Sequence, residues 1–193
     1  ISFKGIDYAD DNEISLIIAL DCGIKSLDHV AYAKDKNIDF IICDHHRPGE
    51  TIPDAVAVLD PKRVDCTYPY DELCGCGIGF KLIQALGTNR NQTIEDLEPY
   101  LDLVATAIAA DIVPMTGENR ILAKFGLQVI NSNPRPGIQA LIHQVKKKEL
   151  TITDVVFIIA PRINAAGRIK HGNHAVELLS EFNLEQAIAF AAE

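Results

Sequence analysis

The stretch ISLIIALDCG, residues 14–23, decides the fold. Residues 14–20 form a continuous apolar run that stops at Asp21-Cys22-Gly23. Ser26 follows as a candidate N-cap, with Leu27, Val30 and Ala31 at helical spacing. That order is strand, turn, helix. A second apolar run, residues 38–43, follows Asn37 and ends on Asp44-His45-His46 before a Pro48-Gly49 turn, and residues 55–59 form a third that closes at Asp60-Pro61. Unbroken apolar runs of this kind predict strands buried on both faces. Two parallel strands joined by a helix make a right-handed crossover, so they lie side by side with their carboxyl ends on one edge. Asp21 and His45 are then expected as neighbours, at the edge where open α/β sheets bind ligands.

Beyond residue 78 the periodicity turns helical. Phe80, Leu82, Ile83 and Leu86 predict an apolar stripe beginning at Gly79, and a helix near Pro99 carries Leu101, Val104, Ala105 and Ile108 to about Ala110, with Pro114 ensuring its end. Further stripes are Ile121, Leu122, Phe125 and Val129, then Ile138, Leu141, Ile142 and Val145; the stretches near Val155, Val176 and Ala187 complete the pattern. The expected architecture is an α/β fold, a parallel β-sheet with flanking helices over residues 1–115, followed by a helical second half over 116–193.

With 193 residues, 48% hydrophobic and 23% charged, the chain can bury a real core. A formal charge of −9 argues against gripping polyanions with the whole surface, so any nucleic-acid contact must be focal. No apolar run approaches the ~18 residues of a membrane span, and ISFKGIDYADD does not read as a signal peptide. A cytoplasmic protein without a membrane role is expected. The five cysteines, Cys22, Cys43, Cys66, Cys74 and Cys76, are odd in number and irregular in spacing, which suits reduced thiols better than disulfides or zinc. The chain opens on Ile1 without a Met and stops at Glu193 inside AIAFAAE, a helical pattern without a terminator, so a fragment of a longer protein is expected.

Asp111 lies three residues past Ile108, so it is expected on the buried face near a helix C-terminus, where the macrodipole disfavours negative charge. Alone it reads as a carboxylate reaching solvent or an arginine. Together, Asp21, His45 and Asp111 suit Mn²⁺ or Mg²⁺. Asp44-His45-His46 reads either as a polar loop tip or as a site where one imidazole binds metal and the other faces a phosphate. Gly75-x-Gly77-x-Gly79 could present backbone amides to a phosphate or simply make a tight turn. Lys146-Lys147-Lys148 reads as a solvated helix end.

Four segments carry a resemblance: IIALDCGIKS (17–26), FIICDHHRPG (40–49), LDLVATAIAADIVPMTGENRIL (101–122) and APRINAAGRIKHG (160–172). In this order they resemble the DHH phosphoesterase superfamily, and within it the exonucleases specific for single-stranded DNA. The resemblance implies a two-metal phosphodiesterase of DNA repair and recombination. Water activated by Mn²⁺ or Mg²⁺ attacks the phosphate nearest a 5′ end and releases mononucleotides.

Residue by residue, it implies that Asp21, His45 and Asp111 bind metal, that His46 stands at the scissile phosphate, and that Asp44 orients the imidazoles. Arg168 would contact a DNA phosphate, with Asn164 and Arg162 of the same motif beside it; Arg162 reads equally as an ordinary partner of the excess acids. Single-stranded DNA is the implied partner, along with a single-strand-binding protein and a helicase. The sequence departs from the pattern in having no Asp-x-Asp-Gly motif, and the family's C-terminal and oligonucleotide-binding domains have no counterpart in it. It reads as an incomplete catalytic core, active feebly or not at all, keeping at most one metal position that prefers Mn²⁺. Competing readings are a DHH oligoribonuclease or nucleotide phosphatase, and a catalytically silent nucleic-acid-binding module.

Overall fold

The three apolar runs fold as parallel strands β1 (Leu16–Leu20), β2 (Asp39–Cys43) and β3 (Ala57–Leu59), in that order across the sheet. The structure, a computed structural model, describes residues 1–143, 145, 147–169 and 172–192, the side chains of 166–169 excepted. Leu20 stands opposite Cys43, and Cys43 opposite Leu59, so the three strands end in line. The described chain divides into two compact units, Ile1–Leu86 and Gly87–Glu193.

In the first unit, α1 (Phe3–Asp11) and α2 (Leu27–Asp35) supply Ile6, Ala9, Val30 and Ala33 to a core completed by Ala19, Ile38, Phe40 and Ile42. The Ser2 hydroxyl caps α1 by accepting the Gly5 N–H. Burial on both faces does not hold for β1, where Leu16, Ile18 and Leu20 are exposed. β1 is an edge strand of this sheet, and its period-two alternation turns Ile17 and Ala19 toward the helices and those three outward. α3 (Gly75–Thr88) begins four residues before the expected point, so the three glycines lie inside its first turns.

The second unit is helical. α4 (Ile94–Leu97) leads through a 3₁₀ turn over Glu98–Tyr100, which holds Pro99, into α5 (Leu101–Asp111). α6 (Gly117–Ser132), α7 (Pro136–Ile142), α8 (Ile152–Asp154), α9 (Ala160–Ile169), α10 (Gly172–Ser180) and α11 (Leu184–Ala192) follow. Their core centres on Ala105, Ile130, Ile138, Leu141, Val155, Ile159 and Leu178. The expected sequence domain over 1–115 runs past the packing division, because α5 packs on α6. Leu101, Val104, Ala105 and Ile108 are buried as their spacing predicts.

The α6 stripe is rotated from expectation: Leu122 and Val129 are buried, whereas Ile121 and Phe125 are exposed. The cause is Gly126, where an added Cβ would lie 2.1 Å from the Leu101 carbonyl oxygen. Only glycine permits that approach of α6 to α5, and it turns Asn119, Ala123 and Ile130 inward instead. Between α8 and α9 the helix takes a π turn over Val155–Ile159. Pro161 has no N–H to give the ladder, and its ring crowds the carbonyl four residues back.

Two further expectations are corrected. Asp111 is exposed rather than on the buried face, because α5 ends there and Ile112 turns into the left-handed region at φ 55°. Lys147 does not sit in a solvated helix end; it lies beyond α7 and pairs with the Asp154 carboxylate, while Lys146 lies outside the described residues.

Candidate metal centre

Each strand hands the chain to a carboxylate. Asp21 follows β1, Asp44 follows β2 and Asp60 follows β3. The ladder continues one step past the strands, the Asp21 N–H donating to the Cys43 carbonyl (2.8 Å) and the Asp44 N–H to the Leu59 carbonyl (3.0 Å). Asp21 adopts φ 61°, a left-handed conformation that aspartate tolerates better than most residues. The expected placement of Asp21, Asp44 and His45 at one carboxyl edge is what the strands deliver.

Asp44 is 1% exposed and organises the loop. Its Oδ2 accepts the Ile24 N–H at 2.9 Å, and its Oδ1 accepts the His45 N–H at 2.8 Å, the His46 N–H at 3.2 Å and the His46 Nδ1–H at 2.7 Å. Burial acts to raise the Asp44 carboxyl, but these four bonds outweigh it and hold the group below the usual carboxylate range. An ionised carboxylate only accepts, so His46 Nδ1 carries the hydrogen and, in the neutral ring, Nε2 carries the lone pair. The two imidazoles meet edge to face, with centroids 4.6 Å apart.

His45 Nε2 lies 3.1 Å from Asp21 Oδ1. Two ligands about 2.1 Å from one ion at right angles stand about 3 Å apart, so this pair has the separation of adjacent ligands. His46 joins them: Asp21, His45 and His46 each offer a ligand atom, and all three atoms lie within 4.8 Å of one another. Two imidazoles and a carboxylate fit a borderline divalent ion such as Mn²⁺ better than Mg²⁺, which takes oxygen ligands and keeps its water. The Asp21 side chain is largely exposed and that of His45 largely buried, so the site opens to solvent on the carboxylate side.

Asp60 was legible in the sequence only as a strand terminator. It is 3% exposed; Oδ1 accepts the Lys62 N–H at 2.8 Å, and Oδ2 accepts no hydrogen bond among the described residues. Burial, reinforced by the negative charge of Asp44, pushes its carboxyl above the usual range. The signal that could have found it is positional, since it repeats after β3 the place that Asp21 and Asp44 hold after β1 and β2.

The remaining expected site residues belong to the second unit. Asp111 closes α5, and Asn164 is exposed on α9. Arg162, also on α9, donates from Nη1 to the Leu141 carbonyl near the end of α7, which ties two helices together. The Arg168 side chain lies outside the described residues.

A family model described as the DHH family, N-terminal domain, matches residues 3–108. The chain belongs to the DHH family. Among DHH relatives, it is 40% identical to the single-stranded-DNA-specific exonuclease RecJ of Salmonella typhimurium, over 100% of this chain and 36% of that protein. It therefore spans about a third of that relative's length. A crystal structure of exonuclease RecJ bound to manganese superposes with a TM-score of 0.88 at 29% identity, covering 100% of this chain and 48% of that one. RecJ of Thermus thermophilus in complex with Mg²⁺ gives 0.70 at 28% identity, covering 92% and 24%. The three-stranded parallel sheet with flanking helices and the helical region after it are thus shared with DHH proteins that hold these two metals.

Proposed function

We propose that the protein carrying this chain is a metal-dependent exonuclease that degrades single-stranded DNA from the 5′ end, in DNA repair and recombination in the cytoplasm. The observation that supports it most is the convergence of Asp21, His45 and His46, with the Asp44 carboxylate held behind the histidines. In this reading Asp21, His45 and Asp111 hold Mn²⁺ or Mg²⁺, and His46, oriented by Asp44, faces the scissile phosphate. A bound divalent ion supplies Lewis-acid polarisation of a phosphate oxygen and a water of lowered pKa. Arg168, with Asn164 and Arg162, is assigned to the DNA backbone, and a single-strand-binding protein and a helicase are the proposed protein partners.

The 193-residue chain contains no Asp-x-Asp motif, so alone it is proposed to hold at most one ion and to hydrolyse DNA feebly or not at all. The test is early release of labelled mononucleotide from 5′-labelled, and not from 3′-labelled, single-stranded DNA by the protein that carries this chain, with Mn²⁺ supplied. Loss of at least roughly 100-fold in Asp21→Ala and His45→Ala is expected. Equal rates on duplex DNA, or a preference for very short RNA oligonucleotides, would overturn the assignment in favour of another DHH hydrolase.

A further inference from the structure

We infer that Gly75 is a positioning residue for Asp21: the missing side chain at the first residue of α3 lets the Asp21 carboxylate stand beside His45. The inference rests on the metal-centre reading for its functional meaning, and on packing alone for its structural content.

A Cβ added at Gly75 would lie 2.2 Å from Asp21 Oδ1, 2.6 Å from its Cβ and 2.6 Å from its Cγ. The three nearest atoms all belong to one side chain, and non-bonded carbon atoms need about 3.5–4 Å. Any larger residue at 75 must therefore displace Asp21. The Asp21 backbone has little room to yield, since its N–H is held by the Cys43 carbonyl at 2.8 Å and its φ already lies at 61°. Rotation of the side chain clears Oδ1 and Cγ but leaves Cβ in place, so the start of α3 must also shift, and the rotation carries Oδ1 away from His45 Nε2, now 3.1 Å distant.

The neighbouring glycines behave differently. At Gly77 an added Cβ would approach nothing closer than 3.5 Å, and at Gly79 nothing closer than 3.4 Å, which is ordinary contact. Glycine is a poor helix residue, so a buried glycine opening a 14-residue helix calls for a reason. At Gly75 the reason is the Asp21 carboxylate; at Gly77 and Gly79 no such close approach exists.

The experiment compares the wild-type chain with Gly75→Ala, Gly77→Ala, Asp21→Gly and the Gly75→Ala/Asp21→Gly double variant. Three readouts are taken: histidine ring ¹⁵N signals of the metal-free protein, Mn²⁺ affinity by calorimetry, and the melting temperature. Gly75→Ala is expected to shift the His45 signals as Asp21→Gly does, to weaken Mn²⁺ binding roughly 10–100-fold and to lower Tm by roughly 3–8 °C. The Tm loss should largely disappear in the double variant, because glycine at 21 removes the three nearest clashing atoms and suits positive φ. Gly77→Ala should leave the His45 signals and the affinity at wild-type values.

Wild-type His45 signals in Gly75→Ala would overturn the inference, as would an undiminished Tm loss in the double variant. If Gly75→Ala alone does not fold, folding of the double variant supports the inference and its failure overturns it. If the His45 shift and the Tm coupling appear while the wild-type chain binds no Mn²⁺, the positioning role stands and the metal-centre reading falls.

Discussion

The Asp44 carboxylate accepts the Ile24 amide hydrogen at 2.9 Å, which ties the loop after β1 to the end of β2. The same carboxylate fixes the His46 ring through Nδ1. One buried side chain therefore sets the spacing of the two loops that carry Asp21, His45 and His46.

Asp44→Ala should accordingly damage both fold and site. Removing it strands buried donors at Ile24 and His45, and a destabilisation of about 3–5 kcal/mol is expected. Urea denaturation measures that loss. In the fraction that stays folded, Mn²⁺ affinity should fall roughly 10–100-fold, read by calorimetry. Wild-type stability in Asp44→Ala would show that the loops are held by other means.

Asp60 predicts a pH effect of definite sign. Its folded-state carboxyl is raised by burial, so its contribution to stability is full below the unfolded value near 3.8 and is lost as pH rises through the folded one. Asp60→Asn, which keeps an oxygen for the Lys62 N–H, should gain stability relative to wild type between about pH 4 and pH 7. Thermal melts at the two pH values decide it; a constant difference would mean that the carboxyl is not raised.

Asp154 predicts the opposite sign. Its bond with the Lys147 ammonium, reinforced by the Thr151 N–H and hydroxyl, holds the carboxyl down to about 2. The stabilisation is present above the unfolded value near 3.8 and fades as pH falls toward about 2. Asp154→Asn should be less stable than wild type at about pH 5, with the gap closing in acid. Denaturant melts at roughly pH 5, 3.5 and 2.5 would expose a gap that fails to narrow.

Gly126→Ala should destabilise the helical unit by about 2–4 kcal/mol, because the new methyl meets the Leu101 backbone carbonyl rather than a yielding side chain. Calorimetric melting checks this. An unchanged Tm would mean that α6 can shift on α5 at little cost.

Much of the centre was legible in the sequence. The apolar runs ending at Asp21 and Asp44, joined by a helical stretch, imply parallel strands, and the crossover rule places Asp21 and His45 side by side from chain order alone, as the structure does. Leu101, Val104, Ala105 and Ile108 likewise announced the buried face of α5. These readings succeeded because strand and helix periods are local, carried by residues within a few positions of one another.

Other features rest on contacts between residues far apart in the chain. Gly75 meets Asp21, and Gly126 meets Leu101, across stretches longer than any helix or strand repeat; both are close approaches that no periodicity encodes. The same holds for Asp60, whose composition and spacing mark a turn while its burial makes it a perturbed carboxyl. Asp111 shows the limit in reverse: helical spacing put it on the buried face, but the helix ends at that residue and the left-handed Ile112 leaves it exposed. Local sequence determines which element forms and which face is apolar. How closely two elements approach, and where an element stops, depends on the volume and backbone of partners that the local pattern does not contain.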